Sequence, residues 1–147
     1  MPIECKVTTI STWLAPITVV ETARGVRFVD LDDGARQFRR EAAGEYIRVP
    51  GEAEAADELR RYFAGELHVF SVPLDLCGTP FQLRCWEAMR GIPYGQTITY
   101  AQEGLMAGTR GFQAVGQANR KNPVPILVPC HRVVSLNGPG GYFGDRL

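Results

Sequence analysis

The most informative stretch of the sequence reads Asn122-Pro123-Val124-Pro125-Ile126-Leu127-Val128-Pro129-Cys130-His131-Arg132-Val133-Val134. Within it an apolar run ends at a proline, and a cysteine, a histidine and an arginine follow directly. The thiolate is the reactive form of cysteine, and the free thiol has a pKa of roughly 8.5, so attack near neutral pH needs a nearby base or cation. Neighbouring side chains of an extended chain point to opposite faces. His131 can therefore act on Cys130 only if the backbone turns here or a water molecule bridges the two groups.

A structural interpretation of the same pair competes with the catalytic one. Free cysteine is among the most buried residue types, so a core Cys130 beside a surface His131 also fits the pattern. The preceding residues 124–128 are too short and too β-branched a run for a helix. They predict a buried strand or an extended segment that leads to Cys130.

Two capping boxes upstream of this stretch predict where helices begin. In Thr79-Pro80-Phe81-Gln82 a proline occupies the first helical position, so a helix is expected from Pro80 to the glycine- and proline-containing residues 91–95. Thr99-Tyr100-Ala101-Gln102 opens a second helix, which is expected to reach about residue 107.

A third helix is predicted at residues 110–120, after a short turn at Gly108 and Thr109. Two short helices across a glycine-containing turn are typical of a helix-turn-helix, although ordinary helix packing produces the same pattern.

The first half of the chain predicts strands and helices in mixed order. The predicted elements are a strand at 1–10, a hairpin at 17–21 and 26–31, a helix at 35–42, a strand at 45–49, a helix at 52–64 and a strand at 67–76. A boundary is expected at residues 75–78. Two domains, 1–76 and 79–147, follow from it.

The net charge of zero conceals an asymmetry between the two halves. Residues 1–78 carry nine Lys and Arg against thirteen Asp and Glu, a balance of −4. Residues 79–147 carry seven against three, a balance of +4. Phosphate neutralisation supplies most non-specific affinity for nucleic acid, so a basic second half is compatible with a DNA partner. It is equally compatible with an ordinary solvated surface.

Composition excludes several other classes of protein. No apolar run approaches the roughly 18 residues of a membrane span, and residues 1–6 lack the basic and apolar regions of a signal peptide. A cytoplasmic protein with no membrane partner is therefore expected. The four cysteines form no Cys-x-x-Cys pair and only two histidines accompany them, so free thiols are expected rather than a metal site or disulfides.

The thirteen residues quoted above resemble the active-site signature of the O6-alkylguanine-DNA alkyltransferases, whose motif reads Pro-Cys-His-Arg-Val after an upstream Asn-Pro. The match continues upstream through Tyr100 to about Thr79 and covers the first half of the chain only weakly. The resemblance implies an α+β protein. An N-terminal α/β domain of ribonuclease-H-like shape would support a C-terminal winged-helix, mainly helical domain that binds DNA.

The resemblance also implies a function, which is single-turnover repair of double-stranded DNA by a monomer without cofactor or metal. The family flips the damaged guanine out of the helix, because a thiolate cannot reach the alkylated oxygen of a stacked base. Cys130 would then take the alkyl group from O6-alkylguanine, and also from O4-alkylthymine, and keep it as a thioether.

The family's residue roles carry over by position. His131 would draw the proton from Cys130 through a water molecule, and Asn122 would be the hinge that orders the turn. Tyr100 would hydrogen-bond the flipped base and help to protonate it as the leaving group. The implied DNA-binding residues are Arg110, Gln113, Arg120 and Lys121. The implied base-pocket and loop-supporting residues are Pro125, Arg132 and Val133.

Two departures from the family pattern are visible. The family places an arginine within Arg-Ala-Val-Gly on its recognition helix to fill the gap left by the flipped base, whereas this chain reads Gln113-Ala114-Val115-Gly116. The family also has a terminal helix whose glutamate orients the catalytic histidine, and residues 142–147 contain no replacement for it. The expectation is a trimmed chain or a variant with a weakened relay, and slow transfer if the protein ends at Leu147.

Two other functions compete with alkyl transfer. The alkyltransferase-like proteins bind lesions without transfer, but they replace the cysteine that this chain retains. A cysteine hydrolase or thiol-redox enzyme could use Cys130 and His131, but neither an oxyanion glycine pattern nor a resolving cysteine is visible.

Overall fold

The computed structural model describes residues 2–31, 45–109 and 111–135. The chain divides into two compact units, residues 1–76 and residues 77–147.

A four-stranded mixed sheet forms most of the first unit. Its strands are β1 (Ile3–Ile10), β2 (Ile17–Thr22), β3 (Gly25–Asp30) and β4 (Tyr46–Arg48), in the order β3-β2-β1-β4. β2 is antiparallel to both β1 and β3, and β4 is parallel to β1. The helix α1 (Ala55–Phe63) packs on β1 and β2.

All six residues of β2 are buried, so both faces of the sheet are covered along this central strand. On one face α1 turns Leu59 and Tyr62 inward, and on the opposite face Val20 and Phe28 pack with Cys5. The predicted first strand, the hairpin and the short fourth strand are therefore confirmed.

One predicted helix boundary in this unit needs correction. Helix α1 begins at Ala55 rather than at residue 52, because the buried Glu21 carboxylate accepts the backbone N–H groups of Glu54 and Ala55 at 2.8 and 3.2 Å. That is the geometry of a helix start, where free N–H groups and the helix dipole favour an anion. The predicted helix at 35–42 lies outside the described residues.

The predicted strand at residues 67–76 is wrong. Only one isolated bridge, between Val26 and Leu74, forms along this segment. The Glu58 carboxylate accepts the N–H groups of Ser71 and Val72 at 2.9 and 3.1 Å, and Pro73 has no N–H to donate. A strand that loses these donors cannot continue a ladder.

The second unit is mainly helical. Helix α2 (Pro80–Arg90) is followed by β5 (Ile98–Thr99), α3 (Tyr100–Met106) and α4 (Phe112–Arg120). A 3₁₀ turn (Cys130–Arg132) and β6 (Val133–Val134) complete the described part, with β6 parallel to β5. A mixed sheet in one unit and helices in the other confirm the predicted α+β class.

Both capping boxes are confirmed. The Thr79 hydroxyl accepts the Gln82 N–H at 3.1 Å, and the Gln82 side chain accepts the Thr79 N–H at 2.9 Å. Thr99 and Gln102 repeat the arrangement at 3.1 and 2.8 Å. Each box satisfies two N–H groups that a helix start would leave unpaired.

Helices α3 and α4 approach closely across their turn. Gly108 has a φ of +80°, which favours glycine, and a Cβ on Gly104 would lie 3.0 Å from the carbonyl oxygen of Thr109. The Trp86 indole of α2 donates to the Ala118 carbonyl of α4 at 2.9 Å. Helix α4 begins at Phe112, two residues later than predicted, and Arg110 is outside the described residues.

Residues 124–128 are buried, as predicted, but they form a tight loop instead of a strand or an extended segment. The Val128 N–H donates to the Val124 carbonyl at 3.0 Å, and Ile126 has a φ of +78°. A β-branched residue rarely adopts this conformation, so the packing around the loop must hold it there.

No helix in the described part of the chain is long and apolar enough to cross a membrane.

Candidate active site

Cys130 begins the 3₁₀ turn and is 4% exposed. Its own N–H donates to the Val128 carbonyl at 2.9 Å, and the Arg132 N–H donates to the Pro129 carbonyl at 2.9 Å. The backbone therefore turns where the cysteine and histidine are adjacent. This is the first of the two conditions under which His131 can act on Cys130.

The Asn122 side chain closes the loop that leads to Cys130. Its amide nitrogen donates to the Val128 carbonyl at 2.9 Å, and its oxygen accepts the Val124 N–H at 3.0 Å. All three residues are buried. One carboxamide thus binds two backbone groups of the loop, and without it the buried Val124 N–H would have no partner.

Burial raises the pKa of Cys130 to about 11. Hydrogen bonds from the Asn122 side chain and from the backbone N–H groups of Cys130 and His131 act in the opposite direction, while the nearby Glu103 carboxylate raises the pKa further. The thiol is therefore protonated at neutral pH in the free protein, although donors for a thiolate are in place.

His131 is buried and neutral. Burial lowers its pKa to about 4, and the adjacent Arg132 charge lowers it too. Neither ring nitrogen has a hydrogen-bond partner among the described residues. A neutral imidazole has one acceptor nitrogen, so His131 can accept a proton or a hydrogen bond from water.

Tyr100 is the first residue of α3 and is partly buried. Burial raises the pKa of its phenol, as do the Glu103 and Cys130 charges, while Arg120 lowers it. The phenol therefore keeps its proton at neutral pH and can donate a hydrogen bond.

Cys130 and Tyr100 open onto one cavity of about 540 Å³. The cavity is lined by Thr99, Tyr100, Ala101, Phe112, Gln113, Gly116, Asn119, Arg120, Cys130 and Ser135. Helices α3 and α4 and the 3₁₀ turn all contribute to its wall. Its volume falls within the range of ligand sites, roughly 300–1,000 Å³.

The structure brings together some of the residues selected from the sequence. Cys130, Tyr100, Gln113 and Arg120 line the cavity together. Asn122 and His131 are buried next to Cys130 in the loop and the turn, and Lys121 is exposed at the end of α4. Arg110 falls outside the described residues, so its predicted contact with DNA stays a prediction.

The three predicted supporting residues do not line this cavity. Pro125 and Val133 are buried away from its wall, and their role in a base pocket stays a prediction. The Arg132 guanidinium donates to the Ile92 carbonyl at 2.7 Å and lies 5.5 Å from the centre of the Tyr94 ring. Those contacts tie the 3₁₀ turn to residues 92–94, and the role of Arg132 as a loop support stays a prediction.

The sequence interpretation missed a buried polar pair beside the cavity. Glu103 on α3 is 0% exposed and Asn119 on α4 is 5% exposed. The Asn119 amide donates to the Glu103 carboxylate at 2.7 Å. Nothing in the sequence signals this contact, because it depends on how the two helices cross.

The fold and the cavity define a class of protein with two units, in which a buried cysteine and two helices joined by a short turn share one cavity. Comparison with family models gives two matches. Residues 5–76 match the ribonuclease-like domain of 6-O-methylguanine DNA methyltransferase, and residues 80–146 match its DNA binding domain.

The chain belongs to the 6-O-methylguanine DNA methyltransferase family, which confirms the resemblance found in the sequence. It is 38% identical over 130 residues to the methylated-DNA–protein-cysteine methyltransferase of Methanosarcina acetivorans, with 85% of this chain and 80% of the relative covered. It is 46% identical over 104 residues to the constitutive methyltransferase of that name from Bacillus subtilis. That match covers 69% of this chain and spans only 63% of the length of the relative.

A solved structure is also similar. Mycobacterium tuberculosis OGT in complex with DNA superposes with a TM-score of 0.79 at 36% identity, and 95% of this chain and 84% of that chain are covered.

Proposed function

We propose that this protein repairs DNA by direct reversal, moving an alkyl group from O6-alkylguanine to the sulfur of Cys130. The observation that carries the proposal is the cavity in which Cys130, Tyr100 and the exposed face of α4 meet. Membership of the family supports it, as do the names of the methyltransferase relatives and the solved DNA complex of the M. tuberculosis protein.

The reaction is a displacement at the alkyl carbon. The damaged base leaves the stack and enters the cavity, because a stacked base hides its alkylated oxygen from a thiolate. A sulfur–carbon bond forms as the carbon–oxygen bond breaks, and the electron pair of that bond passes to the base. A proton leaves the thiol and one reaches the base, so the products are a thioether and ordinary guanine. O4-alkylthymine carries the same kind of leaving group and is a second substrate.

Two side chains move the protons. His131 accepts the Cys130 proton through a water molecule, while Tyr100 donates to the departing base. The low pKa of His131 makes it a weak base. Removal of the thiol proton is therefore expected to limit the rate at neutral pH. The thioether is stable, so each molecule reacts once and needs no cofactor.

Helix α4 is the proposed contact with DNA. Its exposed Gln113 lines the cavity, and Arg120 and Lys121 are exposed at its end, where their charges can neutralise phosphates. Arg110 is assigned to the same surface from the sequence. Residues 79–147 then form the DNA-binding and acceptor domain and residues 1–76 the supporting domain of a monomer that works in the cytoplasm.

The test is the intact mass of the protein after incubation with a duplex containing O6-methylguanine. One added methyl group is expected, and peptide mapping should locate it on Cys130. Cys130→Ser should add none and still bind the duplex, because a hydroxyl is far less acidic than a thiol at nearly the same size. Methyl groups on Cys5, Cys77 or Cys85 would contradict the assignment, and binding without any mass increase would indicate a lesion-binding protein instead.

A further inference from the structure

A buried acid and a buried amide face each other beside the cavity, and each keeps one polar atom without a partner. The Asn119 amide nitrogen donates to one oxygen of the Glu103 carboxyl at 2.7 Å. The other Glu103 oxygen and the Asn119 side-chain oxygen are both fully buried and have no hydrogen bond to any described residue. Both atoms are acceptors when the acid is ionised, so neither can satisfy the other.

An ionised Glu103 carboxylate would be energetically unfavourable at this buried position. Burying a charge without a partner costs far more than burying a neutral polar group. Within the described residues no Lys or Arg forms an ion pair with Glu103. Burial raises the pKa of Glu103 to about 7, and the hydrogen bond from Asn119 opposes that rise.

Protonation of Glu103 would allow a hydrogen bond between the two buried oxygens that have no partner. A neutral carboxylic acid carries one O–H donor, and its only unsatisfied neighbour in this pair is the Asn119 oxygen. The acid would then accept from the amide nitrogen and donate to the amide oxygen. Two hydrogen bonds in a ring would satisfy every polar atom of both groups except the second amide hydrogen.

We propose that Glu103 is a neutral carboxylic acid joined to the Asn119 carboxamide by two hydrogen bonds, and that this ring is a positioning device for the cavity. Asn119 lines the cavity together with Cys130 and Tyr100, whereas Glu103 lies behind it. Glu103 therefore acts through Asn119 and does not touch the base.

The protonation state of Glu103 also affects the reactive groups. A Glu103 charge raises the pKa of Cys85 on α2, of Tyr100 on α3 and of Cys130 on the 3₁₀ turn. The charged groups that oppose it are Arg84, which faces Cys85, and Arg120, which faces Tyr100. A neutral Glu103 consequently keeps formation of the Cys130 thiolate easier. This step rests on the proposed function.

The first test does not depend on activity. In protein labelled with ¹³C at glutamate carboxyls, the Glu103 signal is assigned by its absence from Glu103→Gln and followed through a pH titration. A midpoint near 7, well above the ordinary 4.5, is the expected result. In Asn119→Ala the midpoint should fall, because the neutral acid loses the acceptor of its O–H group. A rise would mean that only the amide donor that lowers the pKa was lost, and that the second hydrogen bond does not exist. A wild-type midpoint near 4.5 would overturn the proposal.

The second test separates positioning from mere packing by the pH profile of methyl transfer. Glutamine reproduces the neutral acid, since it accepts at its oxygen and donates from its nitrogen. Each variant is normalised to its own rate at pH 6. Between pH 6 and 8.5 the rate of Glu103→Gln should rise several-fold more than the wild-type rate, because its Cys130 meets no new negative charge.

The matched control is Glu87→Gln, which removes the same charge from an exposed position on α2 of the same unit. Its profile should follow the wild type. Identical profiles for wild type and Glu103→Gln would overturn the link to Cys130. Absence of transfer in every protein at every pH would refute the proposed function, and the carboxyl titration would still decide whether the ring exists.

Discussion

Cys130 is subject to two opposing influences. Its burial raises the pKa of the thiol to about 11, while the Asn122 amide and two backbone N–H groups favour the thiolate. The donors have fixed positions, so they need no reorganisation when the sulfur becomes charged. A buried thiol of this kind resists oxidation and unwanted alkylation, because the thiolate is the reactive form. Reactivity then depends on delivery of the correct substrate to the cavity.

Gln113 offers a test of the contact with DNA at a single residue. Gln113→Arg adds a positive charge at the cavity wall, so affinity for lesion DNA should rise and the transfer rate should rise if base flipping limits it. If the new guanidinium neutralises a phosphate, the slope of log affinity against log salt should steepen by about 0.9. Fluorescence anisotropy over a salt series measures the slope, and single-turnover kinetics measure the rate.

The matched control is Gln117→Arg, one turn further along α4. Gln117 is also exposed but does not line the cavity. Both variants should steepen the salt dependence. Near pH 9, where removal of the thiol proton no longer limits transfer, only Gln113→Arg should change the transfer rate. Equal rates for the two variants at that pH would show that position 113 has no special role.

Cys130, His131 and Asn122 were predictable because they belong to one contiguous motif, whereas Tyr100, Gln113 and Arg120 were assigned only through the family resemblance. The Glu103–Asn119 pair could not be found in this way. Its members are buried polar residues on two helices, and only the crossing of those helices makes them neighbours. A buried glutamate in an otherwise ordinary helix start carries no local signal.

Predictions of helices and strands succeeded where the cause is local in the sequence and failed where it is not. The capping boxes at Thr79 and Thr99 were predictable because each is complete within four residues. The strand expected at 67–76 failed because Glu58, on a different element, takes the N–H groups that a ladder would use. The strand or extended segment predicted at 124–128 is wrong because the φ of +78° at Ile126 is imposed by its surroundings.

Asn122→Ala tests the loop as an element. The change leaves the Val124 N–H buried without a partner, whereas the Val128 carbonyl keeps its hydrogen bond from the Cys130 N–H. A buried group without a partner costs roughly 1–3 kcal/mol, so a loss of about that size in the free energy of unfolding is expected. The pKa of Cys130 should also rise, because a donor to the thiolate is removed.

Denaturant unfolding measures the first effect, and the pH dependence of iodoacetamide labelling at Cys130 measures the second. Gln117→Ala, an exposed change on α4, should alter neither quantity. Normal labelling in a destabilised Asn122→Ala would mean that the loop holds the backbone but does not assist the thiolate.

The whole molecule combines an acidic first half with a basic second half, and its stability should depend on pH through two buried groups of the second. Glu103 has a folded pKa of about 7 against an ordinary 4.5, so the folded state binds its proton more tightly. Its stabilising contribution is complete below pH 4.5 and is lost as the pH rises through 7. His131 is the opposite case, with a folded pKa of about 4 against 6.5. Its contribution is complete above pH 6.5 and is lost as the pH falls through 4.

These two contributions oppose each other between pH 4.5 and 6.5, the interval between the ordinary values of the two groups. Each shift corresponds to about 3 kcal/mol over its full range. The free energy of unfolding of the second unit should therefore vary little with pH in wild type over this interval. Glu103→Gln removes one contribution, and its stability should rise with pH by about 2–3 kcal/mol as His131 loses its proton in the unfolded state.

Urea unfolding at a series of pH values measures this pH dependence of the free energy of unfolding. A Trp13→Phe background leaves the buried Trp86 of the second unit as the fluorescent reporter. Glu87→Gln in the same background should follow the wild type, because its carboxylate is exposed. Parallel curves for wild type and Glu103→Gln would mean that Glu103 has the same affinity for its proton in both states. The two-hydrogen-bond ring would then contribute nothing to folding, since any ring that stabilises the neutral acid must make the folded protein hold that proton more tightly than the unfolded chain does.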